Sequence, residues 1–178
     1  MVRTTVSFIA LSLIAVQAAI AQTLESGVYR IYDSYGRNAF GVGPIPIIYP
    51  PPDVPLRLFT GGSPLVDRWY VVRTSGDRYT IRVGSGRSGD YRIIPRGNDV
   101  FVTATKAPQE WSITEAGDGQ FVIQILNQDS IVTSEEERRP PLALEPANGS
   151  PDQRWRFVRI GDDDSCAIST RVQSTNYH

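Results

Sequence analysis

The chain has 178 residues, 40% of them hydrophobic, with 18 Lys+Arg against 19 Asp+Glu and a formal net charge of −1. That balance gives no electrostatic case for nucleic acid or an anionic membrane as partner. A single cysteine, Cys166, excludes an intramolecular disulfide, and the one histidine, His178, is the last residue of a polar tail expected to be disordered, which in practical terms excludes a Ser-His-Asp triad, a Cys-His pair or a histidine zinc site.

Residues 1–21 carry Arg3, an apolar run and the small-x-small sequence Ala19-Ile20-Ala21. This is the form of a secretory signal peptide, with an apolar run too short to span a membrane durably. The expected mature chain is therefore secreted and starts at Gln22. One domain is expected over residues 22–163, large enough to bury a core without metal or disulfide support. Residues 164–178, which include Cys166, are polar and aperiodic and are expected to be a disordered tail.

Within the domain, "SGVYRI", "SGDRYTI" and "DGQFVIQ" place Tyr29 with Ile31, Tyr79 with Ile81, and Phe121 with Ile123 two residues apart, on one face of a strand. A second signal follows each. "DRWYVV", "QEWSIT" and "QRWRFV" give Trp69 with Val71, Trp111 with Ile113, and Trp155 with Phe157, so the three tryptophans recur at intervals of 42 and 44. Two more short strands fit between the markers, "DYRIIP" and "DVFVTAT" in the second repeat and "SIVTSE" and "PLALEP" in the third. Gly, Asn, Asp and Ser punctuate the joins, and no stretch has a convincing helical period. The expectation is all-β: twelve strands in three pseudo-threefold repeats, closed into a β-trefoil with the tryptophans in its core.

One segment breaks the repeat. Tyr29 to Trp69 spans 40 residues against 32 and 34 in the other repeats, and the excess falls in "GPIPIIYPPPDVP", Gly43 to Pro55. Pro44, Pro46, Pro50, Pro51, Pro52 and Pro55 make six of the chain's 13 prolines, set around Ile47, Ile48 and Tyr49. Proline fixes φ and favours an extended residue before it, so the apolar centre is expected to be held close to the form a protease cleft accepts.

"LESGVYRIYDS", "QEWSITEAGDGQFVI" and the closing "RWRFVRIGDD" resemble the mushroom serine protease inhibitors of the cospin-like family, over Leu24 to about Asp163. The resemblance implies a β-trefoil inhibitor acting through the loop between the second and third strands, here Gly43 to Pro55. The family pattern has an arginine there, whereas this loop holds neither Lys nor Arg. Chymotrypsin-, elastase- or subtilisin-like serine proteases are thus the expected partners over trypsin, with Ile47, Ile48, Tyr49 and Pro50 as the reactive loop. More distantly, the Trp-ended repeats are similar to the mycocypins, cysteine protease inhibitors that use other loops, which makes Arg87 and Ser88 in "GSGRSGD" a secondary candidate.

The competing expectation is a sugar-binding trefoil. Gln109-Glu110-Trp111 and Gln153-Arg154-Trp155 match the Gln-x-Trp motif of ricin-type lectins, but the first repeat has Asp67-Arg68-Trp69. No enzymatic activity and no cofactor or metal are expected, and the protein should be a monomer. Asn148-Gly149-Ser150 is a glycosylation sequon on a turn before the last strand.

Overall fold

The computed structural model describes residues 22–44, 48–60, 66–83, 91–134 and 142–160. Along them run β1 Gly27–Asp33, β2 Asn38–Val42, β3 Val54–Thr60, β4 Trp69–Ser75, β5 Arg78–Val83, β6 Arg92–Arg96, β7 Asp99–Thr103, β8 Glu110–Gly117, β9 Gln120–Ile125, β10 Ile131–Thr133, β11 Ala143–Glu145 and β12 Trp155–Arg159. A 3-10 turn at Pro151–Gln153 is the only helical element among the described residues.

Six strands close on themselves. Antiparallel pairs β1–β4, β4–β5, β5–β8, β8–β9, β9–β12 and β12–β1 complete a ring, which leaves no open edge in that layer. The aromatic repeat sets the register: Tyr29 lies opposite Trp69, Tyr79 opposite Trp111, and Phe121 opposite Trp155. All six rings are buried, as are Ile31, Ile81 and Ile123. Phe157 is only partly buried; it packs edge-on against Tyr29 and Phe121, with ring centroids 5.8 and 5.5 Å away.

The remaining six strands form three hairpins, β2–β3, β6–β7 and β10–β11. They lean on one another through Val54 opposite Val102, Ala143 opposite Asp99, and a hydrogen bond from the Leu142 amide to the Leu56 carbonyl at 2.9 Å. Each tryptophan ties the ring to one hairpin. The indole nitrogens of Trp69, Trp111 and Trp155 donate to the carbonyls of Phe40, Ile93 and Val132 at 3.0, 3.4 and 2.9 Å. No indole N–H is left unpaired in the core, where an orphaned donor would be costly.

The segment before β1 packs into the base of the ring. Leu24 is buried, the Tyr79 hydroxyl donates to its carbonyl, and the Tyr29 hydroxyl donates to that of Glu25, both at 2.8 Å. Arg159 reaches the Glu25 carboxylate at 3.0 Å, and the Gln22 amide donates to Glu115. Burial raises both phenols above the usual value of 10.0, against the opposing charge of Arg159 at Tyr29 and of Arg73 at Tyr79.

Two expectations need correcting. The proline segment does not remain a loop through Pro55, because Val54 and Pro55 already belong to β3 and lie opposite Val102 and Phe101. The β2–β3 ladder runs only from Asn38–Thr60 to Val42–Leu56, so the missing Pro55 N–H interrupts none of it. The first repeat is also not alone in its long hairpin connection: β10 and β11 are separated by residues 134–142, and only β6–β7 turns tightly, at Gly97-Asn98. Gly97 has φ +63°, a conformation a side chain would resist. The expected secretory leader, residues 1–21, and the expected disordered tail, residues 164–178, lie outside the described residues.

Candidate functional site

The β2–β3 loop, residues 43–53, leaves the hairpin cap with both roots fixed. On its entry side Gly43 is buried, and the Val42 amide donates to the Val66 carbonyl at 3.2 Å. On its exit side Asp53 is held by two cations. Lys106 Nζ is 2.8 Å and Arg96 Nη1 3.9 Å from Asp53 Oδ2.

Burial alone would push the Asp53 carboxyl up. The hydrogen bonds from Lys106 and Thr103 and the charges of Lys106 and Arg96 outweigh it, and together they hold the carboxyl below its ordinary 3.8. The Asp53 side chain is 12% exposed, against 52% for Lys106 and 60% for Arg96. The carboxylate is therefore the inner partner. Sequence reasoning missed this cluster: Asp53 ends a proline run, and Lys106 lies 53 residues away with no motif to link them.

At the apex, Ile48 is 62% and Tyr49 97% exposed, and Pro50 is exposed too. The Tyr49–Pro50 peptide bond is cis. Scattered exposed apolar side chains are ordinary on a protein surface. Two adjacent ones followed directly by three prolines are not scattered; chemically, such a pair can insert an apolar or aromatic anchor into a complementary pocket. Ile47 lies outside the described residues, as do Arg87 and Ser88 of the secondary candidate, Cys166 and His178.

Asn148 sits exposed in the connection from β11 to β12. Its side-chain oxygen accepts the Ser150 amide at 2.8 Å, and Gly149 supports the turn with φ +72°. The turn is braced by Gln153, which is 1% exposed. Gln153 accepts the Asn148 amide at 2.9 Å and donates to the Pro146 carbonyl at 2.8 Å and to Thr133 Oγ1 at 3.3 Å. Gln109 differs: it is only partly buried and donates to the Glu110 carbonyl at 2.8 Å. The two Gln-x-Trp matches are thus not equivalent in the fold, and in the third repeat the glutamine is engaged in holding a loop.

A hollow of about 410 Å³ lies between β5, β8 and the β9–β10 connection, with Asp77, Ser112, Gln124, Asn127, Gln128 and Asp129 among its lining. Among the described residues, no aromatic side chain lines it. Among the described residues, no group of three or more His, Cys, Asp or Glu side chains is placed to hold a metal ion.

No family model matches the chain, and no curated protein matches its sequence. Solved structures do resemble it in fold. A proteinase inhibitor from Coprinopsis cinerea superposes with a TM-score of 0.62 at 12% identity, covering 78% of this chain and all (100%) of that one. The Rhizoctonia solani agglutinin gives 0.59 at 18% identity, over 78% of this chain and 99% of its own. A protein described as the BEL beta-trefoil gives 0.57 at 15% identity, over 77% and 95%. At these identities the likeness is one of fold, and the fold of these neighbours is the β-trefoil.

Proposed function

We propose that this chain is a secreted β-trefoil inhibitor of serine proteases, which presents residues 43–53 to the enzyme as a substrate mimic. The observation that carries the proposal is the exposure of Ile48 and Tyr49 at the apex of a loop fixed at both roots. A loop ordered before docking loses less conformational entropy on binding, which is the usual route to tight inhibition over an interface of ordinary size. Ile48 occupies the primary specificity pocket, or Tyr49 does so as an anchor that is not cut. Pro50 makes the bond after Tyr49 a poor one to hydrolyse. With no Lys or Arg in the loop, the target class is chymotrypsin-, elastase- or subtilisin-like. The protein is a monomer in this proposal, has no catalytic group or cofactor, and carries a glycan on Asn148.

A panel of trypsin-, chymotrypsin-, subtilisin- and papain-like enzymes tests this, repeated with Ile48 and Tyr49 both replaced by Gly. We expect inhibition of chymotrypsin- or subtilisin-like enzymes, lost in the double variant while the thermal melt stays in place. Unchanged inhibition with an unchanged melt would remove this loop as the reactive site.

A carbohydrate-binding function is the second reading, supported by the polar hollow around Asp77 and Asp129. It is weakened by the lack of an aromatic platform there, on which a sugar ring would stack. A glycan array separates the two: reproducible submillimolar binding favours the lectin.

A further inference from the structure

We infer that Asp53 is the positioning residue of the proposed reactive loop, its carboxylate acting as an acid-labile clamp that aims the Ile48–Tyr49 apex. The inference rests on the inhibitor proposal for its consequence, but the clamp can be tested without it.

Asp53 is the last loop residue before β3, and Val54 after it is buried and paired with Val102. On its other side stand Pro50, Pro51 and Pro52. Three successive prolines have no free φ rotation, so they act as a short strut between Asp53 and Tyr49. Whatever fixes the strut's base fixes the direction of the apex.

Three groups fix that base, each from the neighbouring hairpin or the connection that follows it: Arg96 from β6, the Thr103 hydroxyl from β7 and the Lys106 ammonium from the β7–β8 connection. The Lys106 backbone is itself held, because Arg92 Nη1 donates to its carbonyl at 3.1 Å. Charge-assisted hydrogen bonds of this kind are directional and roughly twice as strong as neutral ones. Protonating Asp53 removes its negative charge from between two cations and turns an acceptor partly into a donor. The folded-state pKa lies below the unfolded value, so the clamp is complete above about pH 4 and is lost as the pH falls through the depressed folded value.

Pepsin provides the test, because it acts in acid and prefers apolar and aromatic sites such as Ile48 and Tyr49. Cleavage within residues 44–52 is followed by intact mass for the wild type, Asp53→Asn and Lys106→Met, and rates are taken as ratios so that the enzyme's own pH dependence cancels. At about pH 5, Asp53→Asn should be cut at least about tenfold faster than wild type, with Lys106→Met between them. As the pH is lowered stepwise below about 4, the Asp53→Asn ratio should fall towards one. A ratio near one at the higher pH, or one that does not change with pH, overturns the clamp. Should Asp53→Asn prove unfolded by its melt, the exposed Lys106→Met variant carries the same judgement at the higher pH. Inhibition at neutral pH gives the second measurement: if wild type inhibits a chymotrypsin- or subtilisin-like enzyme, Asp53→Asn should weaken it about tenfold and be cut as a substrate, while still melting cooperatively at a temperature lowered only by the loss of the Asp53 ion pair. A wild type that inhibits nothing sinks the inhibitor proposal, while the pepsin ratios still decide the clamp.

Discussion

Gln153 shows how one side chain can look functional in the sequence and be structural in the fold. As part of a Gln-x-Trp match it suggests sugar recognition, yet its amide is consumed by Asn148, Pro146 and Thr133. Replacing it by Ala leaves a part-buried amide and a carbonyl without partners. An unsatisfied buried group costs about 1–3 kcal/mol, so Gln153→Ala should lose at least that much stability in urea unfolding. A ligand-binding role with no structural one would leave the unfolding midpoint in place. The tryptophans set the upper limit: all three are 0% exposed with their N–H groups paired, so Trp155→Ala should cost about 3–5 kcal/mol.

Among the elements, the three hairpins answer to the same tryptophan contact and differ mainly in their turns. Replacing residues 44–52 by a two-residue connection like Gly97-Asn98 should therefore leave the cap able to form. A shorter loop also costs less closure entropy. The expected outcome is a melt that is unchanged or raised, together with complete loss of protease inhibition; a variant that fails to fold would show that the loop is part of the core. This division also explains what could be read from the chain. The ring strands were legible because burying one face of a strand forces alternation, and Tyr29-x-Ile31 and Trp69-x-Val71 repeat that alternation threefold. The proline loop was legible as a departure from the repeat. Its ionic root was not, since Asp53 and Lys106 meet only once β3 and β7 have paired, and neither residue carries a periodic signal. The segment from Gln22 to Ser26 was equally silent: it is short and polar apart from Leu24, and its place in the base of the ring depends on hydroxyls of Tyr29 and Tyr79 brought there by the closed barrel.

For the whole molecule, these two polar contacts predict how stability responds to pH at its two ends. Asp53 has a folded-state pKa below its unfolded value, so its contribution is present in the neutral range and is lost as acid protonates it below about pH 4. Tyr29 and Tyr79 behave in the opposite sense. Burial raises both, so the folded state prefers the neutral phenol, and stability holds up to the unfolded value of 10.0 and falls above it as the unfolded chain ionises first. Because the two hydroxyls hold the Leu24–Glu25 segment in the ring's base, alkaline loss should begin there. Hydrogen exchange should show the amides of residues 24–28 opening at pH values where the tryptophan-bearing strands remain protected. Tyr79→Phe separates the two effects of the hydroxyl: it should lower neutral-pH stability by about 1 kcal/mol through the lost hydrogen bond, yet make the alkaline limb of the stability curve shallower because one titrating group is gone. An alkaline limb as steep in Tyr79→Phe as in the wild type would show that ionisation of this buried phenol does not set the molecule's upper pH limit.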